Sequence, residues 1–341
     1  MKSICVFSRD EGSYGSSVIL NHLKDVAEKQ GYSVSICSNV AKVESDSIIV
    51  THGLWASYKL YKNNKDKCQF SFLVDALSLS ISSELKYFLK HRCITIKHLV
   101  ISLLRWFKYS YQEYVILKHY KKIFLVSAWD KEYYERSFLF RRFSSKIIVI
   151  PNGIDIPEKL RGNKAVKKNT IIIGCISAWN DPVYFSTLIF FKRIWCEAVK
   201  RNPNLVLRIA GRGLTIDYKK QLLGYPNVEL EGEVNSLSDF YNSIDISLIT
   251  LCKEAGILNK VLEAFSYKVP VLGLKQNFLA FNGIPNCYYV YCDISSFLKR
   301  IDCIVNDEEE RNNKIELAYS YIKENNNWEK NYLKLISEIN K

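Results

Sequence analysis

The sequence predicts an α/β protein of two doubly wound, Rossmann-like domains facing across a cleft. Three observations predict it. Short β-branched runs alternate with segments of helical period along the chain. That alternation is broken once, by a polar basic stretch without periodicity. A chain of 341 residues, 48% hydrophobic, is long enough for two cores of ordinary size.

The elements follow in order. "SICVFS" (3–8) is a strand, "SVILNHLKDVAEKQG" a helix, "YSVSIC" and "DSIIVTHG" two further strands. "QFSFLVDA" precedes a long basic helical region, and "KKIFLVSAWD", a helix over 129–139 and "KIIVIPNG" complete the first half. Strands of 4–6 residues separated by helices pair in parallel through crossovers. "IDIPEKLRGNKAVKKN" (154–169) reads as a linker. The pattern restarts with "TIIIGCIS", a helix over 183–201, "NLVLRIAGRG", "NVELEGEV", "DISLITL" and "VPVLGL". The last helix, "NNWEKNYLKLISEIN", spaces Trp328, Tyr332, Leu333, Leu335 and Ile336 along a face that must dock. The expected domains are 1–153, with a basic segment at 90–122, and 170–325, the helix 326–341 returning toward the first.

Composition removes several classes. Ten cysteines are scattered with no CxxC and no Cys/His cluster, which fits reduced thiols and neither a disulfide frame nor a zinc site. The start reaches Arg9, Asp10 and Glu11 too soon for a signal peptide, and no apolar run is long enough to span a bilayer. A soluble cytoplasmic chain is expected. The net charge of +13 is uneven, residues 1–150 carrying 23 Lys and Arg against 13 Asp and Glu. Residues 90–122 hold eight basic side chains and one acid, Glu113, interleaved with aliphatic and aromatic residues. That segment suits peripheral contact with an anionic membrane, reception of an anionic substrate, or a core helix with a solvated basic face. No nucleic-acid module is recognisable, so no nucleic-acid partner is expected.

Four strand-to-helix loops offer chemistry. "DEGSYGSS" supplies Gly12 and Gly15, for a tight turn or for close approach of a phosphate or acceptor. "THGLW" sets His52 at a strand end. "AGRG" frames Arg212 between glycines that would let a ligand approach a fixed cation. "GCISAW" (174–179) is the equivalent loop after the first strand of the second domain. A further stretch is richer. In "GILNKVLEAFSYKVPVLG" Gly256 precedes a short helix, so the amides of Ile257, Leu258 and Asn259 are expected in its unsatisfied first turn, where the dipole favours anions. Lys260 stands at that end and Glu263 three residues on. The plain alternative is a Lys–Glu surface pair worth tenths of a kcal/mol. The richer reading is a nucleotide diphosphate site, with cation and amides on the phosphates and the carboxylate on vicinal hydroxyls.

"IIVIPNGID", "LVLRIAGRG", "NVELEGEV…DFYNSIDISLITL", "GILNKVLEAFSYKVPVLG" and the Trp-initiated last helix, in this order and spacing, resemble glycosyltransferase family 4. The likeness covers about residues 146–335. It implies the glycosyltransferase B fold and retaining, metal-independent sugar transfer with no cofactor, the leaving phosphate taking the acceptor proton in a front-face route. It implies that Glu263 binds the donor ribose and that Lys260 and Arg212 contact phosphate. Family members carry a first glutamate just before the glycine; that position is Ala255 here, with Glu254 displaced by one, and "SAWNDPVYF" replaces a basic loop. His52 and Glu254 are the catalytic candidates; Gly12, Gly15, Arg212, Gly256, Ile257, Asn259, Lys260 and Glu263 are the donor-binding ones. The expected partners are a nucleotide-sugar donor, a lipid-linked or polysaccharide acceptor of the cell surface, such as lipopolysaccharide, and the inner face of the plasma membrane. The rival readings are a silent member that binds membrane or a partner enzyme, and a nucleotide-sugar epimerase or hydrolase of the same fold.

Overall fold

A computed structural model describes residues 2–9, 14–43, 46–158, 169–281, 283–284 and 287–341. The chain divides into two compact units. Unit 1 comprises Met1–Gly153, Ala255–Ile257 and Asn325–Lys341; unit 2 comprises Ile154–Glu254 and Leu258–Glu324.

Unit 1 runs β1 (Ser3–Ser8), α1 (Tyr14–Lys29), β2 (Ser33–Cys37), β3 (Ile48–His52), α2 (Gly53–Asn63), β4 (Phe70–Val74), α3 (Leu77–Lys90), α4 (Ile96–His119), β5 (Lys122–Leu125), α5 (Ala128–Arg136) and β6 (Ile147–Val149). Its six strands pair in parallel in the order β2-β1-β3-β4-β5-β6. Alternation along β1 divides the core into two layers. Cys5 and Phe7 join Leu54, Leu60, Ile116, Leu117 and Tyr120 on one face. Ile4 and Val6 join Ile19, Leu20 and Leu23 of α1 on the other.

Unit 2 runs β7 (Ile171–Ile176), α6 (Asp181–Phe190), α7 (Cys196–Arg201), β8 (Leu205–Ala210), α8 (Ile216–Leu223), β9 (Val228–Gly232), α9 (Leu237–Ser243), β10 (Ile246–Ile249), α10 (Asn259–Ser266), β11 (Val271–Gly273), β12 (Tyr289–Val290), α11 (Ile294–Asn306) and α12 (Glu308–Asn325). Its strands are again all parallel, in the order β12-β11-β10-β7-β8-β9. The helix expected over 183–201 is α6 and α7 joined by a π-helical turn, Phe191–Trp195. That turn buries Phe191, Ile194 and Trp195, packing that an unbroken 3.6-residue period does not announce.

The final helix, α13 (Trp328–Ile339), belongs to unit 1. Trp328, Tyr332, Leu335, Ile336 and Ile339 enter the layer that holds Ile19, Leu20 and Leu23. Each such side chain contributes roughly 1.5–3 kcal/mol of burial, offset by the entropy of ordering the segment. Tyr332 donates to the carbonyl of Ile19 at 3.2 Å, and Lys122 pairs with Glu338 at 3.0 Å. Gly153 is required where Trp328 lies on the backbone, since a Cβ there would come 2.2 Å from the indole.

The basic segment 90–122 contains one helix, α4, and begins where the preceding helix, α3, stops. α3 ends at Lys90, and Thr95 caps α4 by accepting from His98 N–H at 3.3 Å. The C-terminal half of α4 buries Ser110, Glu113, Val115, Ile116 and Leu117. Its N-terminal half leaves Ile96 (83% exposed), Leu104 (65%) and Phe107 (63%) in solvent, among Lys97, Arg105 and Lys108. Among the described residues no helix is long and apolar enough to cross a membrane.

Candidate functional site

In unit 2 the loops at the carboxyl ends of β7 and β8 are bound together. Ser177 N–H donates to the carbonyl of Ala210 at 3.1 Å and Trp179 N–H to that of Arg212 at 2.8 Å. The Trp179 indole N–H donates to Ala210 O at 2.8 Å. Gly211 (φ +113°) and Gly213 (φ +90°) make this possible, for a Cβ on them would stand 1.9 Å from Ser177 O and 2.6 Å from Trp179 O. On their Cβ side the "AGRG" glycines thus admit residues 177 and 179. Between the two glycines Arg212 is exposed.

α10 is tied to the same loops. Its N-cap is Leu258, which has no side chain able to cap, so the helix starts at Asn259, two residues later than the sequence suggests. Asn259 is exposed; Lys260 and Glu263 are partly buried. Lys260 Nζ donates to Ser177 Oγ at 2.8 Å, joining α10 to the loop after β7. Glu263 accepts from the hydroxyl of Tyr241, a fully buried residue of α9, at 3.0 Å. Among the described residues no ion pair joins Lys260 to Glu263. Burial pushes the Glu263 carboxyl up, against the lowering effects of Tyr241 and Lys260. Burial pulls the Lys260 ammonium down, against the thiol of Cys175 and the carboxyl of Glu263. Each charge uses one neutral hydroxyl, although an ammonium has three donors and a carboxylate about four acceptor positions.

The approach to α10 behaves differently. Ala255 is 1% exposed within the core of unit 1, and Ile257 packs against its other layer. Gly256, at φ +74°, gives its N–H to Asp130 Oδ2 at 2.8 Å. Its amide is thus taken by Asp130, and Ile257, whose amide was expected in the first turn, lies ahead of the helix. Asp130, itself fully buried, also accepts from Ala76 N–H at 2.9 Å. The sequence reading passes over Asp130; it includes Ser177 only within the loop "GCISAW" and Tyr241 only within "DFYNSID". Glu254, one of the two catalytic candidates, is partly buried at the end of the unit 2 segment.

In unit 1, His52 ends β3, is 8% exposed, and lies 3.5 Å from Ser8 Oγ with its ring edge-on to Phe72. Gly15 stands in the first turn of α1, and Gly12 lies outside the described residues. Trp55, in the first turn of α2, is 40% exposed, with the ammonium of Lys59 4.5 Å and the guanidinium of Arg9 5.5 Å from its ring. The "THGLW" stretch contains this ring, but its sequence singles out only His52.

Residues 170–307 match the family model for "Glycosyl transferases group 1". No curated protein matches the sequence. Among solved structures, a sucrose-phosphate synthase from Thermosynechococcus elongatus aligns with a TM-score of 0.72 at 13% identity, over 99% of this chain and 98% of that one. Anabaena Alr3699/HepE, solved with UDP and glucose, aligns at 0.63 and 11% identity over 100% of both chains. A point mutant of S. aureus TarM, complexed with fondaparinux, alpha-GlcNAc-glycerol and UDP, aligns at 0.62 and 15% identity over 87% of this chain and 56% of its own. The expected fold, the two Rossmann-like domains of glycosyltransferase B, is the fold these structures share with the chain. The expected enzyme class, a glycosyltransferase, stands on the matched domain together with that fold.

Proposed function

From a chain whose second unit carries a group 1 glycosyl transferase domain, we propose a retaining glycosyltransferase that takes its sugar from a nucleotide-sugar donor held at the carboxyl edge of β7, β8 and β10. The observation that carries this is the pair Lys260 and Glu263, two half-buried charges with most of their hydrogen-bonding capacity unspent, beside a helix start without a side-chain cap. A diphosphate fits the ammonium, Arg212 and the amides of Asn259 and Lys260; the vicinal hydroxyls of a ribose fit Glu263. The same cations stabilise charge growing on the leaving diphosphate, which takes the acceptor proton in a front-face route. That route draws on the chain's own groups, with no metal and no cofactor. His52 is assigned to the acceptor side and Glu254 to the transferred sugar.

UDP is the first nucleotide to try, since HepE and TarM were solved with it. For the acceptor we propose a lipid-linked or surface-polysaccharide glycan, met at the cytoplasmic face of the plasma membrane. The exposed apolar and basic half of α4 supports that reading: its aliphatic side chains suit the headgroup boundary, and Lys97, Arg105 and Lys108 suit anionic lipid. Calorimetry with UDP-, GDP-, dTDP- and CMP-sugars tests the donor site, and no heat with any of them ends the proposal. The methyl of Ala255, buried where family members carry a glutamate, favours the silent member as the second reading; nucleotide binding without turnover across donors would select it.

A further inference from the structure

At the junction of α11 and α12 the fold assembles donors that a search for Cys/His spacing overlooks. Cys303 lies in the last turn of α11, Asp307 follows that helix, and Glu310 is in the first turn of α12. One ligand atom from each lies within 4.8 Å of the others. Asp307 Oδ1 accepts from Glu310 N–H at 2.9 Å, which fixes the turn and leaves the second carboxylate oxygen. The Cys303 thiol donates to Glu310 Oε2 at 2.5 Å. Burial and the two carboxylates push that thiol up to about 11.

A second observation points into the cluster. The Tyr289 hydroxyl is buried, on a residue 2% exposed, and has no hydrogen-bond partner among the described residues. The ammonium of Lys314, 3.5 Å from Glu310 Oε1, lies over the Tyr289 ring at 5.1 Å, so the ring stands beside the cluster; beyond burial, Glu310, Cys303 and Asp307 raise the phenol's pKa, with Arg311 opposing. The surrounding cations are mostly committed. Arg311 donates to the carbonyl of Ile304 at 2.7 Å and Arg300 to that of Val290 at 3.4 Å, while Lys314 stands 3.5 Å from Glu310 Oε1.

We propose that Cys303, Asp307 and Glu310 form a binding site for one thiophilic divalent cation of the zinc class, with the Tyr289 hydroxyl beside it. On binding, the S–H bond breaks, a sulfur–metal bond forms and the proton leaves to solvent. A thiolate and two carboxylates carry three negative charges, which a dication and Lys314 balance. The thiolate selects zinc-like ions, because magnesium and calcium take oxygen ligands. The ion would staple α11 to α12. This proposal does not depend on the transferase reading.

The test uses the full chain, freed of metal by a chelator and desalted, then titrated with Co²⁺ and with Zn²⁺. One equivalent of Co²⁺ should bind with a thiolate-to-metal charge-transfer absorption that Zn²⁺ abolishes. Cys303→Ser should remove the absorption, and Asp307→Asn or Glu310→Gln should weaken Co²⁺ binding at least tenfold. Cys292→Ser, at an exposed cysteine, should change neither. Zinc should raise the melting temperature of the unaltered chain and not of Cys303→Ser. Failure of the unaltered chain to bind Co²⁺, or an undiminished absorption in Cys303→Ser, overturns the proposal.

Discussion

Buried charge is handled in opposite ways in the two units. In unit 1, Asp130 holds the amides of Ala76 and Gly256, and Glu113 holds the Ser78 N–H at 3.0 Å as well as the Ser78 hydroxyl. These carboxylates receive backbone donors that have nowhere else to go, and they fix the start of α3. In unit 2, Lys260 and Glu263 each meet a single side-chain hydroxyl. A buried charge engaged with backbone holds a fold together; one left with spare capacity is suited to a ligand. The contrast separates stability from binding, and each half can be tested.

The largest effect is expected at Gly211, where alanine combines an unfavourable φ with a Cβ 1.9 Å from Ser177 O. We expect Gly211→Ala to cost about 3 kcal/mol or more in chemical unfolding and to disorder the Lys260–Ser177 contact with it. Asp130→Ala strands two buried amides and should cost roughly 2–5 kcal/mol. If it melts like the unaltered chain, the structural half of the comparison fails. At Glu113 the effect depends on pH. Burial first, then Asp75, raises its pKa from 4.5 to about 7, against the lowering bonds of Ser78. A carboxyl raised on folding stabilises the fold while protonated and loses that contribution as pH climbs from about 4.5 through 7, a change of about 3 kcal/mol. Glu113→Gln should flatten the unfolding free energy across that window.

Binding, not stability, should respond at Glu263. Glu263→Ala is expected to weaken UDP-sugar affinity roughly 10- to 100-fold by calorimetry, with melting nearly unchanged. A large drop in melting temperature with intact affinity would put this carboxylate in the same class as Asp130. The smallest effect concerns α4. Leu104→Asp with Phe107→Asp should shift stability by no more than about 0.5 kcal/mol each while reducing cosedimentation with anionic vesicles roughly tenfold.

The strands were legible in the sequence because runs such as "SICVFS" and "TIIIGCIS" are apolar between terminal hydroxyl residues and largely buried on both faces. The docking face of α13 was legible from Trp328 and Tyr332 at helical spacing. β12 was not, since two residues carry no period, and α3 was hidden by serines at its buried positions. The site was half legible. Lys260 and Glu263 stood out because opposite charges begin an otherwise apolar helix. Their partners did not, since Ser177 and Tyr241 are ordinary residues placed by β-strand order, and Asp130 meets Gly256 across 126 positions of sequence.

The seat of α13 in unit 1 bears on how the protein is made. The strands of that unit leave the ribosome first, while the helix that covers Ile19, Leu20 and Leu23 is separated from β6 by the whole of unit 2. At bacterial or eukaryotic elongation rates the greasy side of α1 waits roughly ten to thirty seconds for its cover. During that interval the nascent chain is a natural client for chaperones, and a chain stopped before Trp328 would keep that surface bare for good.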